Sequence, residues 1–126
     1  MNLLEQIARH LELCGFGIAA DEERDGNIHW GRMPDSPDDC ICVYSTNSAT
    51  PGDEQGARIQ IMNRSVEPGK AYEVAYDIAC ELDDFIGFLA GDGSMAHITV
   101  ESSAVGLGAD TKKRELYSTN IRVRYC

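Results

Sequence analysis

Two runs of sequence, Cys40-Ile-Cys-Val-Tyr44 and Arg58-Ile-Gln-Ile-Met-Asn-Arg-Ser65, decide the fold of this 126-residue chain. In the second run, Ile59 and Ile61 face one way and the residues between them face the other. This alternation is typical of a strand with one buried side and one solvent-facing or partner-facing side. The first run is almost continuously apolar and suits a strand inside a sheet. The segment 46–57 between them is long and hydrophilic, so the sequence predicts two strands joined by a surface loop.

Helices are predicted on both sides of these two strands. Apolar residues recur at helical spacing over residues 3–14, between a suitable N-cap, Asn2, and Gly15, where the helix should end. A second helix is predicted to start at Pro68 and to run to Gly87. Each helix is apolar along only one stripe, so each should pack one side against a sheet.

The remaining segments complete a mixed pattern. Residues 28–30 form a short apolar run, strands are predicted over 96–104 and 117–125, and residues 105–114 read as a turn rich in glycine and charge. The chain should therefore form one α+β domain over residues 1–126. Its expected architecture is a two-layer sandwich with two helices packed on a mostly antiparallel four- to five-stranded sheet.

The charge of the chain limits its partners. The formal net charge is −10 and the pI is about 4.6. Such a surface repels phosphate, so stable wrapping around nucleic acid is not expected. No stretch approaches the roughly 18 apolar residues of a membrane span, and the N-terminus lacks the regions of a signal peptide. We expect a protein of the cytoplasm that binds basic protein surfaces or copies of itself, with the alternative that the acidity serves only solubility.

No catalytic, cofactor-binding or metal site is predicted. The cysteine count of five is odd, which argues against a disulfide framework, and Cys40 and Cys42 are predicted to be core thiols. The Gly-x-Gly units stand alone, without the rest of a nucleotide-binding motif. One alternative stays open, because a small enzyme could assemble its site if His29, His97 or the aspartate clusters converged in a pocket.

The cations are few and concentrated on two strands and one turn. They could form a solvated face that balances the acidic residues. They could also lie against the acidic loops of an identical neighbour, such as Asp53-Glu54 or residues 35–39, and head-to-tail pairing of unlike patches closes into a ring when the rotation permits. The candidate interface residues are Arg58, Gln60, Arg64, Asp53, Glu54, Lys112, Lys113, Arg114, Arg122 and Arg124.

Four segments resemble the minor capsid and tail terminator proteins of long-tailed phages and prophages. The resembling segments are Pro34 to Tyr44, Ile59 to Ser65, Ala71 to Leu82 and Leu107 to Val123, whereas Glu67 to Lys70 departs from the pattern of the family. The resemblance implies a structural virion assembly protein, without enzymatic activity, that forms a ring, which is hexameric in related terminators. Loops that order on assembly are also implied, and residues 46–57 and 105–114 are the candidates.

The resemblance also implies the partners of the ring. It would cap the tube built by the tail tube protein and join it to the head connector or completion protein. DNA would pass through without being specifically bound, and the protein would move from the host cytoplasm to the neck of the mature virion. The alternative function is that of an acidic inhibitor or immunity-type protein, which would bind one basic partner and form no ring.

Overall fold

The computed structural model describes residues 2–46, 56–90 and 95–125. Its elements are α1 Leu3–Leu13, β1 Ile28–Trp30, β2 Cys40–Ser45, β3 Ala57–Ser65, α2 Lys70–Leu82, β4 Phe85–Phe88, β5 Met95–Ala109 and β6 Glu115–Tyr125. The predictions for α1, β2, β3 and β6 are confirmed to within about two residues. Asn2 caps α1 as expected, because its side chain accepts the Glu5 backbone N–H at 2.8 Å.

The strands form a single sheet in the described part of the chain, in the order β1-β2-β3-β6-β5-β4. Neighbouring strands are antiparallel except β1 and β2, which are parallel. Both helices pack on the same face of the sheet, which gives the predicted two-layer α+β arrangement. The described sheet has six strands, more than the four or five predicted.

The second helix differs from its prediction at both ends. It begins at Lys70, because Gly69 is left-handed with φ of 82° and keeps Pro68 in the preceding turn. It ends at Leu82 instead of Gly87. Asp84 then adopts a positive φ of 59° and turns the chain back toward the sheet.

This reversal creates β4, which the sequence pattern did not predict. Residues Phe85–Phe88 pair antiparallel with the start of β5. Phe85 fits the helical spacing as well as it fits a strand, and a run of four apolar residues cannot be assigned from periodicity alone. The predicted continuation of the helix to Gly87 is therefore wrong.

The predicted turn over residues 105–114 is also shorter than expected. Strand β5 continues to Ala109, with register shifts against β6 that allow Gly106 and Gly108 to lie in a bulged, exposed part of the strand. Only the residues from Asp110 to Arg114 form the turn. The Asp110 side chain holds this turn by accepting the backbone N–H groups of Lys112 and Arg114, each at 2.9 Å.

The core lies between the helices and one face of the sheet. Alternation along the strands sends Ile59 and Ile61 into this core, together with Ile121 and Val123 of β6. The Thr119 hydroxyl joins the layers by donating to the backbone carbonyl of Ala75 in α2 at 3.0 Å. We call the opposite side of the sheet the open face. In the residues described, neither helix is long and apolar enough to cross a membrane.

Candidate functional site on the open face of the sheet

Residues 32–39 cross one part of the open face, and we call them the strap. Cys40 and Cys42 point away from the helices, yet both are buried, as the sequence predicts for core thiols. At the start of the strap, the Met33 backbone N–H donates to the Tyr44 hydroxyl at 3.1 Å. Burial raises the pKa of Cys40 to about 11, so this thiol stays protonated and unreactive at neutral pH.

Arg64 of β3 holds the strap from beneath by binding its backbone. Its Nε donates to the carbonyl of Asp38 at 2.9 Å, and its Nη2 donates to the carbonyls of Pro34 and Pro37 at 2.8 and 2.7 Å. A longer contact of 3.3 Å reaches the carbonyl of Asp35. The residue is only 6% exposed. Its cation is therefore used inside the protomer, where it satisfies carbonyls that would otherwise lack partners.

Arg114 holds the same strap from its other side, through carboxylates as well as backbone. Its Nη1 and Nη2 donate to the backbone and side chain of Asp35 at 2.6 and 2.9 Å, and Nη1 also reaches Asp38 Oδ1 at 3.2 Å. Its Nε donates to Asp110 Oδ2 at 2.7 Å. Lys112 adds a second ion pair to Asp35. These cations lower the pKa of Asp35 below its ordinary value, and Lys112 has a larger effect than Arg114.

The acidic strap thus meets its cations within one chain. One of the two hypotheses from the sequence placed an acidic loop, residues 35–39 or Asp53-Glu54, of one copy against the cations of another, with Arg64 and Arg114 among the interface candidates. The structure instead places both arginines inside the protomer, where Arg114 is 4% exposed. The physical reason is that four strap carbonyls and the strap carboxylates converge on their guanidinium groups.

A second group of arginines occupies the open face away from the strap. Arg58 of β3 lies directly opposite Arg122 of β6, and Arg124 lies two residues further along β6 on the same face. Glu101 of β5 bridges the first two, at 3.3 Å from Arg58 Nε and 2.9 Å from Arg122 Nη2. We call Arg58, Arg122, Arg124 and Glu101 the arginine patch.

Among the residues that the structure describes, the arginine patch combines three cations with one carboxylate. Like charges directly opposite on neighbouring strands repel, and Glu101 lies between Arg58 and Arg122 to reduce that repulsion. Arg58 and Arg124 are exposed, and Gln60 lies beside them opposite Asn120. The patch is therefore a local cationic surface on a protein of net charge −10.

The other predicted interface residues lie elsewhere. Lys112 and Lys113 are at the exposed tip of the β5–β6 hairpin, where Lys113 has a positive φ of 62°. Asp53 and Glu54 fall outside the described residues, as does most of the loop predicted over 46–57.

The histidines do not assemble a site with each other. His29 Nε2 lies 3.0 Å from the carbonyl of Gly26, and His97 Nε2 lies 2.8 Å from Asp84 Oδ1. Three strands separate β1 from β5, so the two residues are roughly 19 Å apart at the usual strand spacing. Over residues 2–46, 56–90 and 95–125, no group of three or more His, Cys, Asp or Glu side chains could hold a metal ion.

The outer face of α2 is a surface that the sequence interpretation missed. Tyr72 and Tyr76 are 48% and 52% exposed, and their rings stack with centroids 6.5 Å apart. Tyr72 also meets Tyr117 edge-on at 5.8 Å. Glu73 and Asp77 follow these tyrosines with the same four-residue spacing, which places acidic and aromatic side chains side by side on the exposed stripe. Two tyrosines and two acids, each pair spaced by four residues, were the feature of the sequence that could have predicted this surface.

A second acidic region, the loop of residues 21–25, is partly neutralised by its own chain. Asp21 pairs with Arg9 at 3.0 Å, and Arg24 of the same loop pairs with Glu12 of α1. The exposed acids of the described residues are thus spread over several places, which include the strap, this loop, α2 and the turn at Asp83 and Asp84. The inhibitor hypothesis required them to be concentrated into one patch.

Comparison with protein families identifies a family for this chain. The model of a family described as bacteriophage tail terminator protein matches residues 18–125, which include the strap, the arginine patch and α2. This match confirms the family resemblance inferred from the sequence. Comparisons with curated proteins and with solved structures gave no match.

Proposed function

This chain belongs to the bacteriophage tail terminator family, and we propose that its copies close into a ring that caps the tail tube and joins it to the head connector. The family is a structural one, so the protein acts as a component of the tail or neck of the virion. The finer parts of the proposal are the ring, its partners in assembly and the contact that builds it. The subunit number follows related terminators and is six.

The observation that carries the proposal is the arginine patch. A cationic surface attracts an acidic surface. Every copy of this chain has acidic surface, because its net charge is −10. Contact between unlike patches is heterologous, and such contacts propagate from copy to copy until the ring closes. Of the predicted interface residues, Arg58, Gln60, Arg122 and Arg124 fit this role.

Net charge suits a ring through which DNA passes. Six copies would carry a total of about −60 charges, which repels the phosphate backbone and opposes sticking. The arginine patch, when covered by a neighbouring copy, is withdrawn from the DNA. The protein would assemble in the host cytoplasm and remain in the neck of the mature virion, with the tail tube protein on one side and the head connector on the other.

A capping experiment tests the proposal. Tubes assembled from the tail tube protein of the same virus are mixed with the purified chain and imaged by electron microscopy, and native mass spectrometry counts the subunits. We expect rings on tube ends and an arrest of tube growth. Tubes that stay uncapped at every protein concentration would overturn the proposal.

A charge-reversal variant ties capping to the arginine patch. Arg58→Glu combined with Arg124→Glu should abolish capping while the variant remains folded, because both side chains are exposed. The matched control is Arg32→Glu, which makes the same change at an exposed arginine outside the patch and should cap normally. Equal capping by all three proteins would remove the patch from the mechanism.

A further inference from the structure

We propose that the outer face of α2 receives the arginine patch of the next copy in the ring. This inference rests on the proposed ring function and names the second half of its contact. We call the surface formed by Tyr72, Glu73, Tyr76 and Asp77 the acidic tyrosine face.

The arginine patch needs an unlike surface as its partner. If two patches met about a twofold axis, Arg58, Arg122 and Arg124 of one copy would approach the same three arginines of the other. Such like-charge contact is costly when desolvated, so the patch selects against an isologous dimer. An acidic surface at a different place on the molecule is required.

The acidic tyrosine face is a better candidate than the loop of residues 21–25. Its acids, Glu73 and Asp77, have no cation partner among the residues that the structure describes. The loop also keeps exposed acids, because only Asp21 of its four is bound to a cation, Arg9. Charge alone therefore suits both surfaces, and the half-exposed tyrosines of α2 distinguish the two.

The chemistry of the tyrosines fits arginine. Tyrosine and arginine are the side chains most enriched at the centres of protein interfaces. A guanidinium group over a tyrosine ring gains a cation–π attraction, and a neighbouring carboxylate can accept its N–H groups at the same time. Tyr72 and Tyr76 are half-exposed, and their rings are held by each other and by Tyr117. Ordering them on binding should therefore sacrifice little side-chain freedom.

The two surfaces also stand on different layers of the sandwich. α2 packs on the core side of the sheet, as the bond from Thr119 to the carbonyl of Ala75 shows, and the arginine patch stands on the open face. One copy can therefore contact two neighbours at once, one through each layer. This is the arrangement that a head-to-tail ring requires.

Crosslinking through Cys80 tests the contact directly. Cys80 is exposed on α2, one helical turn beyond Tyr76, and Gln60 lies beside the arginine patch with the sheet between the two positions. The variant Gln60→Cys, in a Cys126→Ser background, is assembled on tail tubes and treated with a short bismaleimide. A head-to-tail contact should give a ladder of linked copies on a denaturing gel, up to the ring number.

Two matched variants separate the possible outcomes. Adding Cys80→Ser should abolish the ladder without affecting capping. If Asp25→Cys in that Cys80→Ser background restores the ladder, the loop of residues 21–25 is the receiving surface and the inference is wrong. Rings that form without a ladder from Cys80 overturn the inference and leave the proposed function intact, whereas failure to form rings or cap tubes overturns both.

A charge exchange gives a second test. Glu73→Arg with Asp77→Arg makes one variant, and Arg58→Glu with Arg124→Glu makes the other. Each should cap tubes at least about tenfold less well than the native chain, because like charges now face each other. An equimolar mixture of the two variants should recover capping. When the variants alternate around a ring with an even number of subunits, every contact again joins opposite charges. A mixture of folded variants that stays inactive contradicts the inference.

Discussion

The two parts of the open face contain the same residue type and use it in opposite ways. Where they bind the strap, Arg64 and Arg114 are almost completely buried and contact groups of their own chain. Away from the strap, Arg58 and Arg124 are exposed, with Glu101 as the carboxylate between Arg58 and Arg122.

This comparison separates folding from assembly on a single sheet face. An arginine whose donors are satisfied inside the chain stabilises the fold and contributes no free charge to a partner. An exposed arginine held beside another arginine keeps its cation at the surface, where it can attract a neighbour. Removing the first kind should therefore damage stability, and removing the second kind should damage assembly.

The largest effect is expected from Arg64→Ala. The change removes the hydrogen bonds that a buried cation donates to the strap carbonyls and leaves those carbonyls without partners. The free energy of unfolding should fall by about 2–4 kcal/mol, against less than about 0.5 kcal/mol for the control Arg58→Ala. Urea unfolding monitored by circular dichroism measures both.

Thiol labelling adds a local readout to that comparison. Cys40 and Cys42 are buried beneath the strap and should react with a maleimide only slowly in the native chain, while the exposed Cys80 reacts at once. Arg64→Ala should accelerate the two slow thiols, and Arg58→Ala should not. If both variants lost the same stability and labelled alike, the distinction between the two groups of arginines would be refuted.

The second-largest effect is expected from low pH, which should loosen the strap. Lys112 and Arg114 hold the pKa of Asp35 below its ordinary value, and hydrogen bonds from Arg114 do the same for Asp110. A carboxylate whose folded pKa is lowered contributes its full stabilisation above the ordinary aspartate pKa of about 3.9 and loses it as the pH falls through the folded value.

Hydrogen exchange in residues 32–39, corrected for the intrinsic rate, measures this loosening. Protection should be constant from pH 7 to about pH 5 and should fall below about pH 4. Asp35→Asn should lower protection at neutral pH and weaken the pH dependence. The exposed Asp25→Asn is the control and should leave the profile of the strap unchanged. A strap that stays protected at low pH contradicts the assignment.

The smallest effect is expected from Glu101→Gln. Without this carboxylate, Arg58 and Arg122 face each other with less negative charge between them, so the chain should lose less than about 1 kcal/mol of stability, chiefly at low salt. Unfolding of this variant and of the control Glu23→Gln is compared at low and high salt. If the loss does not shrink as salt rises, the repulsion between the arginines is not its cause.

Sequence periodicity was sufficient for the parts of the fold that depend on neighbouring residues. The alternation of Ile59 and Ile61 predicted β3 and its buried side, and the spacing of apolar residues predicted α1. Strand β4 escaped because Phe85 fits a helix equally well and the positive φ of Asp84 left no sequence signal. A short apolar run of this kind fits a helix or a strand, so periodicity alone cannot assign it.

The different roles of the arginines could not be predicted from their local sequence. The strap carbonyls that bind Arg64 lie 26 to 30 residues away along the chain, and the Asp35 backbone oxygen that binds Arg114 lies 79 residues away. In sequence, Arg58 and Arg64 stand on the same side of one strand and look equivalent. Only the path of the strap, which is a tertiary feature, buries one and leaves the other exposed.

The way Arg64 grips the strap has a consequence for variation among viruses. Its acceptors are backbone carbonyls, which every amino acid supplies, so the identity of an exposed side chain such as Ser36 is immaterial to that grip. We expect the Ser36→Ala and Ser36→Lys variants to have the same melting temperature as the native chain. The exposed side chains of the strap can therefore vary while the path of its backbone across the sheet stays the same.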